Sequence, residues 1–368
     1  MNKRCAKKVC AIGGATLDLI IAYEDMEMMK LEQSNGESRY LILEEGSKIE
    51  VSDLHYFSGG GATNAAVTFT RQGLCVHLFC KIGEDAAGKM VLEDLSSHGL
   101  DTKYIYKSKS AGTSSSFVVP SLSGDRTIFA YRGANATLLS KELPIDGIKS
   151  SDFVYVTSLS KESADRLPEI VSIAKKAGVP VAVNPGISQL KSGAGSLKEA
   201  LINGVDTLII NDDEAAQLMA SLIHTDEKLA NIISNSMQKL GQKSAKKLGQ
   251  KSGSKNNKAQ DSALLIDDVI TFGDLTFSLR HFFKHIIGFG VNQVIVTHGA
   301  KGVCVATKDK LYFHDTPKGV SVVNTLGAGD AFGSAFTRAW YQGDDIKKSI
   351  ISGMLNSASV IQHADAKS

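Results

Sequence analysis

The chain has 368 residues, 41 Lys and Arg against 39 Asp and Glu, a net charge of +2, and 43% apolar residues. That length and apolar fraction suffice for a sizeable core, and the charge balance gives no reason to expect nucleic acid or an anionic membrane as a partner. No apolar run approaches the ~18 residues of a membrane span, and Cys5, Cys10, Cys75, Cys80 and Cys304 form no CxxC pair, so they read as small apolar residues in a reducing, cytoplasmic setting.

Residues 1–8 are basic, and the apolar run 9–12 is interrupted by Gly13, Gly14 and Asp18 before it could form a secretory segment. The pattern predicts a short tail and then a buried strand over 9–13. Short alternating segments follow at 40–43 and 48–51. Glycines open a helix over 59–73, 76–82 reads as a strand, and 87–98 reads as a helix ended by Gly99. Strands at 113–119 and 127–131 are joined by a turn, with Arg126 and Arg132 flanking the second. From residue 153 strands and helices alternate: 153–157 with 164–177, 179–183 with 197–203, and 207–210 with 214–222. Strands at 294–296 and 302–306 come next, then helices over 328–340 and 347–363. This alternation predicts a largely parallel sheet covered on both faces, and the early strands predict a small flap of sheet at one edge. Residues 236–260 contain Leu-Gly-Gln-Lys-Ser twice, from Leu240 and from Leu248, and no acidic residue. So few apolar groups cannot offset the ordering entropy, which predicts a disordered lysine- and serine-rich insertion dispensable for activity.

The chemistry concentrates in Gly327-Ala-Gly-Asp330. A Gly-x-Gly turn that opens a helix leaves amide groups aimed outward, and the helix dipole adds positive potential, so the turn can hold an anion. Asp330 at its edge can take the proton of a hydroxyl that attacks a cradled phosphate. The same four residues also read as a capped helix whose Asp merely complements the dipole. No P-loop stretch exists, and Gly13-Gly-Ala-Thr-Leu-Asp18 lacks the spacing of a dinucleotide fingerprint. His281 and His285 are four apart, but Phe282 and Phe283 beside them make a packing helix the better reading than a metal pair.

Two separated motifs, Gly59-Gly-Gly-Ala-Thr-Asn64-Ala-Ala and Thr325-Leu-Gly-Ala-Gly-Asp330-Ala-Phe, occur in this order. Around them lie Asp18, Gly133-Ala-Asn135, Asn184-Pro-Gly, Asn211-Asp-Asp-Glu214 and Thr297-His-Gly299. In these residues the sequence resembles the ribokinase-like carbohydrate kinases, the phosphofructokinase B family, over about residues 9–363 as a single kinase domain. The resemblance implies a three-layer α/β/α fold with a central, mostly parallel sheet and a small β-sheet lid, the lid strands drawn from about 15–55 and 110–133. It implies ATP-dependent phosphorylation of a hydroxymethyl oxygen of a sugar or sugar-like substrate; a kinase for an adenosine-like nucleoside and a catalytically silent sugar-binding protein are the alternatives.

The resemblance also implies roles. Asp330 would be the base, and the backbone of residues 326–329, including Gly327, Ala328 and Gly329, would hold the phosphoryl group. Asp18, Gly60, Gly61 and Asn64 would bind the acceptor. Asn211 and Glu214 would handle Mg²⁺, Glu214 through water, although Asn211 equally suits a helix cap. Thr297, Gly299, Gly302 and Asn356 would meet the nucleotide. A lid of this kind often pairs with that of a second subunit, which implies a homodimer. Two departures stand out. Asn324 replaces the Asp that helps relatives hold K⁺, so a monovalent cation there would lose a charged ligand. Ser158 and Ser160 occupy the region where ribokinases proper place a sugar-binding Glu, with no acid before Glu162, so strict ribose specificity is not expected. The sequence ends soon after His363, where relatives commonly continue, which suggests truncation.

Overall fold

The computed structural model describes residues 7–22, 27–33, 36–120, 126–191, 195–225, 229, 269–272, 275–363 and 365–367. The expected insertion at 236–260 lies outside the described residues. The chain begins with β1 (Lys8–Ile12), then β2 (Thr16–Ala22), the hairpin β3 (Glu27–Gln33) and β4 (Gly36–Ile42), and β5 (Asp53–Gly59). Helix α1 (Gly61–Arg71) leads to β6 (Cys75–Phe79), β7 (Lys81–Gly83), α2 (Ala86–Ser97), β8 (Tyr106–Ser108) and the paired strands β9 (Ser114–Pro120) and β10 (Arg126–Tyr131). After α3 (Ile145–Lys149) come β11 (Phe153–Val156), α4 (Leu167–Lys176), β12 (Val181–Val183), α5 (Ile187–Lys191), α6 (Gly195–Asn203), β13 (Thr207–Asn211) and α7 (Asp212–Thr225). The hairpin β14 (Val269–Phe272) and β15 (Leu275–Ser278) precedes α8 (Leu279–Gly288), β16 (Gln293–Thr297), β17 (Val303–Thr307) and β18 (Leu311–His314). Helices α9 (Ala328–Tyr341) and α10 (Ile346–Val360) follow.

The main sheet has the order β18-β17-β16-β13-β12-β11-β1-β6. It is parallel from β6 to β16 and antiparallel at β17 and β18. Its central strands are unbroken apolar runs because both faces are covered; every residue of β11 is buried. Val154 and Val156 face one core with Leu167, Leu218 and Phe282 from α4, α7 and α8. Phe153 and Tyr155 face the other, with Phe69 and Phe336 from α1 and α9. Phe69 meets Tyr155 edge-on with ring centroids 5.4 Å apart, an arrangement the aromatic quadrupole favours. These two cores and the sheet between them are the three layers of an α/β/α fold.

The lid is a four-stranded sheet, β10-β9-β2-β5, with β2 parallel to β9 and its other neighbours antiparallel. In this register Asp18 lies opposite Phe57 on one side and Ser116 on the other, so all three share a face, while Leu17 and Ser58 turn the other way. The sequence pattern missed β5. Its residues are mostly exposed, so no burial alternation marks it, whereas residues 48–51, expected as a strand, are not one.

Other departures have local causes. The expected strand 76–82 divides, because β6 pairs with β1 but β7 pairs with β8 in a separate sheet. The helix expected from 164 begins at Leu167, preceded by a 3₁₀ segment, with Pro168 in the first turn, where its missing N–H costs nothing. Phe282 and Phe283 are buried on α8, which packs against the sheet as expected. Cys10, Cys80 and Cys304 are buried, whereas Cys75 is disulfide-bonded, unlike the plain apolar role expected of it. Among the described residues no helix is long and apolar enough to cross a membrane.

Candidate active site

Two helix N-termini converge below the lid. Helix α1 begins after Gly60, whose φ of 100° lies in a region that L side chains rarely adopt. Its first turn presents Asn64, and Asn64 Nδ2 donates to Asp330 Oδ2 at 2.9 Å. Asp330 stands in the first turn of α9, after Gly327 at φ 77°. The glycines make this approach feasible. A Cβ on Gly61 would lie 3.2 Å from Asp330 Oδ1 and 2.8 Å from Thr157 Oγ1. Asp330 is half-buried, and its carboxyl is held above its usual range by desolvation, with the Asp18 carboxylate adding to the shift and the Asn64 bond opposing it.

Asp18 projects from β2 into the same space. Its Oδ1 accepts from Ser116 Oγ at 2.5 Å, and burial raises its carboxyl too. Gly59 is needed beside it, since a Cβ there would fall 2.0 Å from Asp18 Oδ2. Asn135 clamps the preceding loop by exchanging two bonds with the Ala15 backbone, at 3.1 and 2.9 Å. Asn64 Oδ1 is a buried acceptor that no donor among the described residues satisfies.

Beside the Gly327–Gly329 turn a cleft of about 380 Å³ is lined by Thr297, Gly299, Gly302, Val303, Phe332 and Met354, among others. Gly299 and Gly302 adopt φ 53° and 109°, and a Cβ on Gly302 would lie 2.1 Å from the His314 carbonyl oxygen, so glycine is required there. A polar recess of about 190 Å³, lined by Asn184, Asn211, Glu214, Thr297, Gly327, Gly329 and Asp330, adjoins it. Thr297 and Gly329 border both spaces. A Cβ on Gly329 would meet nothing within 4 Å, so the backbone of this residue faces open space.

Asn211 and Glu214 form a reciprocal cap at the start of α7. Asn211 N donates to Glu214 Oε2 and Glu214 N to Asn211 Oδ1, each at 2.9 Å. Both residues also line the polar recess. Burial, with Asp330 and Asp213 nearby, pushes the Glu214 carboxyl up to about 7. None of the residues lining either space is Lys or Arg. The donor set is therefore hard oxygen with an excess of negative charge, which suits a hydrated divalent cation.

A family model for pfkB carbohydrate kinases matches residues 6–258 and 278–368. The chain belongs to the pfkB family of carbohydrate kinases. As a pfkB kinase it is a phosphotransferase that acts on a sugar hydroxyl and uses ATP. The ribokinase of Staphylococcus aureus is 25% identical over 334 residues, which span 89% of this chain and 84% of the relative. The structure of Arabidopsis thaliana ribokinase complexed with ribose and ATP aligns with TM-score 0.69 at 18% identity, covering 97% of this chain and 93% of that one. A nucleoside kinase of Methanocaldococcus jannaschii aligns with TM-score 0.65 at 17% identity, covering 98% and 94%.

Within this pfkB kinase some residues sit differently from the sequence reading. The Leu326 amide, expected among those facing phosphate, instead donates to Asn324 Oδ1 at 2.9 Å, and the Ala328 amide donates to the Thr325 carbonyl at 3.3 Å. Asn356, expected near the nucleotide, is engaged between two helices. Its Nδ2 donates to the Ala331 carbonyl at 2.9 Å and ties α10 to α9, while Met354, Ser357 and Ala358 face the cleft. Sequence reasoning did not find the role of His298, whose Nδ1 lies 2.5 Å from Asp212 Oδ1 and joins the end of β16 to the start of α7. The adjacent Thr297-His-Gly299 motif was its only signal. Arg126, flagged for its place beside a lid strand, reaches 199 residues along the chain to donate from Nη1 to Thr325 Oγ1 at 2.8 Å. A lid strand thus touches the segment that leads into the Gly327–Gly329 turn.

Proposed function

We propose that this kinase transfers the γ-phosphoryl group of ATP to a hydroxymethyl oxygen of a small sugar, with Asp330 as the base. The observation that carries this reading is the Asn64–Asp330 pair, which holds a carboxylate of raised proton affinity close enough to Asp18 to feel its charge and on the wall of the recess that Gly327 and Gly329 also line. Asp18 and the unsatisfied Asn64 Oδ1 would orient the acceptor, since an ionised carboxylate accepts from two neighbouring hydroxyls. The Gly327 and Gly329 amides and the α9 dipole would hold the negative charge of the moving phosphoryl group. Mg²⁺ would sit in the polar recess by Asn211 and Glu214, bound through water, where it would neutralise phosphate charge. At Asn324 a monovalent cation would find one side-chain oxygen already engaged by the Leu326 amide. ATP as donor fits a cytoplasmic location.

Closing the lid would exclude water and favour transfer over hydrolysis. Arg126, bridging to Thr325, couples closure to the turn. The outer lid face carries Tyr56, Phe117, Phe129 and Tyr131, each more than a third exposed, and a second copy's lid would cover them in a homodimer.

The assignment is tested by incubating ATP and Mg²⁺ with a panel of pentoses, hexoses, sugar phosphates and nucleosides, reading ADP release, with and without K⁺. Turnover of a sugar supports the reading. Turnover confined to nucleosides would replace the acceptor, and tight sugar binding without any turnover would remove the catalytic claim. The acid limb of kcat/KM gives a second check. Because the Asp330 carboxyl is raised, its ionised, proton-accepting form is lost as pH falls through a value above the ~4 of a free carboxylate. Asp18→Asn removes the neighbouring charge, so the limb should shift to lower pH; an unmoved limb would show that another group titrates.

A further inference from the structure

Beyond α10 the chain stays close to the site. The Ile361 carbonyl accepts from the amides of Val323 and Asn324, at 2.8 and 3.2 Å, so the approach to the anion turn is stitched to the end of α10. Residues 365–367 then pass behind the turn. A Cβ on Gly327 would lie 2.6 Å from Ala366 Cβ and 2.9 Å from its carbonyl oxygen. Ala366 and Lys367 are 7% and 6% exposed, nearly as hidden as core residues.

Lysine is rarely buried without a partner. Here Lys367 Nζ donates to Asp94 Oδ2 at 2.7 Å and also to Ser58 Oγ, and the Ser58 hydroxyl donates to the same Asp94 oxygen. Asp94 belongs to α2, and Ser58 is the penultimate residue of β5, directly before the Gly59-Gly60-Gly61 cluster. The bonds to Lys367 and Ser58 outweigh desolvation and hold the Asp94 carboxyl below its usual range. One ammonium group therefore links the base of the lid, helix α2 and the back of the anion turn.

We propose that Lys367 is a positioning residue for phosphoryl transfer: locked to Asp94 and Ser58, it holds Ala366 against Gly327 and fixes the backbone of residues 327–329. The need for such a brace is physical. Gly327 and Gly329 have no side chains to pack, Gly329 faces open space, and glycine backbone otherwise samples many conformations. An oxyanion site works only when its donors are held before the charge arrives. Breaking the pair would leave a buried charge uncompensated, which favours release of the segment from its seat. The catalytic consequence rests on the reading of residues 327–330 as the phosphoryl-binding turn; the bracing does not.

The experiment compares the parent protein with Lys367→Met, Lys367→Arg, Asp94→Asn and the charge-reversed pair Asp94→Lys with Lys367→Asp. Amide hydrogen exchange is followed in peptides covering residues 323–332 and, as a control, α4. In Lys367→Met and Asp94→Asn, exchange at 323–332 should accelerate roughly tenfold with α4 unchanged, and kcat should fall roughly tenfold with the KM for ATP within about twofold. Lys367→Arg and the reversed pair should recover most of both effects. The inference is overturned if exchange at 323–332 stays within about twofold of the parent, or if all peptides accelerate equally, the mark of a purely structural pair. If one substitution prevents folding, the other reports on the same bond from the opposite side. A parent with no kinase turnover would defeat the proposed function alone, since the exchange measurement still decides the brace.

Discussion

Asp330→Asn should lower kcat by about 10³-fold, the range expected when a positioned base is removed, with KM for ATP nearly unchanged. Geometry supports a loss confined to chemistry. Asn is isosteric, and its side-chain oxygen can still accept from Asn64 Nδ2, so α1 and α9 remain joined. What disappears is the ability to take the acceptor's proton. Stability should move the other way. Burial and Asp18 raise the carboxyl in the folded state, so an ionised Asp330 costs stability at every pH above its unfolded value near 4. Removing the charge should leave Tm at pH 7 equal or higher, and the gain should fade as pH falls towards that unfolded value. Steady-state kinetics and a thermal melt on the same sample check both signs. A variant that keeps a tenth or more of parental kcat would remove Asp330 from the role of base, and one that melts much lower would show that its charge holds the fold.

The two glycine motifs were legible because they are chemical rather than statistical. Gly59, Gly60, Gly61 and Gly327 each stand where a Cβ would meet another atom at under 3 Å, and such positions admit little variety. The buried strands were equally plain, since β1, β11 and β13 are apolar runs enclosed on both faces. The lid was harder. Strand β5 carries Leu54, Tyr56 and Phe57 with most of its length exposed, so hydrophobic alternation does not mark it. The site's long-range ties were not legible. Nothing in the local pattern around Arg126 points to Thr325, and Lys367 next to a final serine reads as an ordinary solvated lysine. Such bonds join residues about 200 and 270 positions apart, and only the closed chain brings them together. The tie from the Asn356 side chain to the Ala331 carbonyl, which joins α10 to α9, was equally hidden from the local pattern.

Neighbouring glycines in the first motif should fail in different ways when each is changed to alanine. At Gly59 the new Cβ would lie 2.0 Å from Asp18 Oδ2, the end of a side chain that can rotate away. The fold should survive, but Asp18 must leave Ser116 and its aim at the acceptor. Hydrogen bonds to a charged group contribute about 1.5–3 kcal/mol each, so losing one or two should lower kcat/KM for the acceptor by roughly 10²-fold or more, mainly through KM. At Gly60 the obstacle is the Gly14 carbonyl oxygen at 2.5 Å and the Ala15 Cα at 2.9 Å, both backbone, at a residue with φ 100°. Neither atom can turn aside, and alanine is itself strained in that conformation, at a cost on the order of 1–3 kcal/mol. Gly60→Ala should therefore lower Tm by several degrees or fail to accumulate, since α1 starts at this residue and its amide of Asn64 bonds to the Gly60 carbonyl at 3.0 Å. Acceptor KM and Tm measured on both variants give the check. Equal losses of stability at the two positions would mean that Asp18 cannot yield, and that the acceptor carboxylate is as rigid a part of the lid as the backbone it faces.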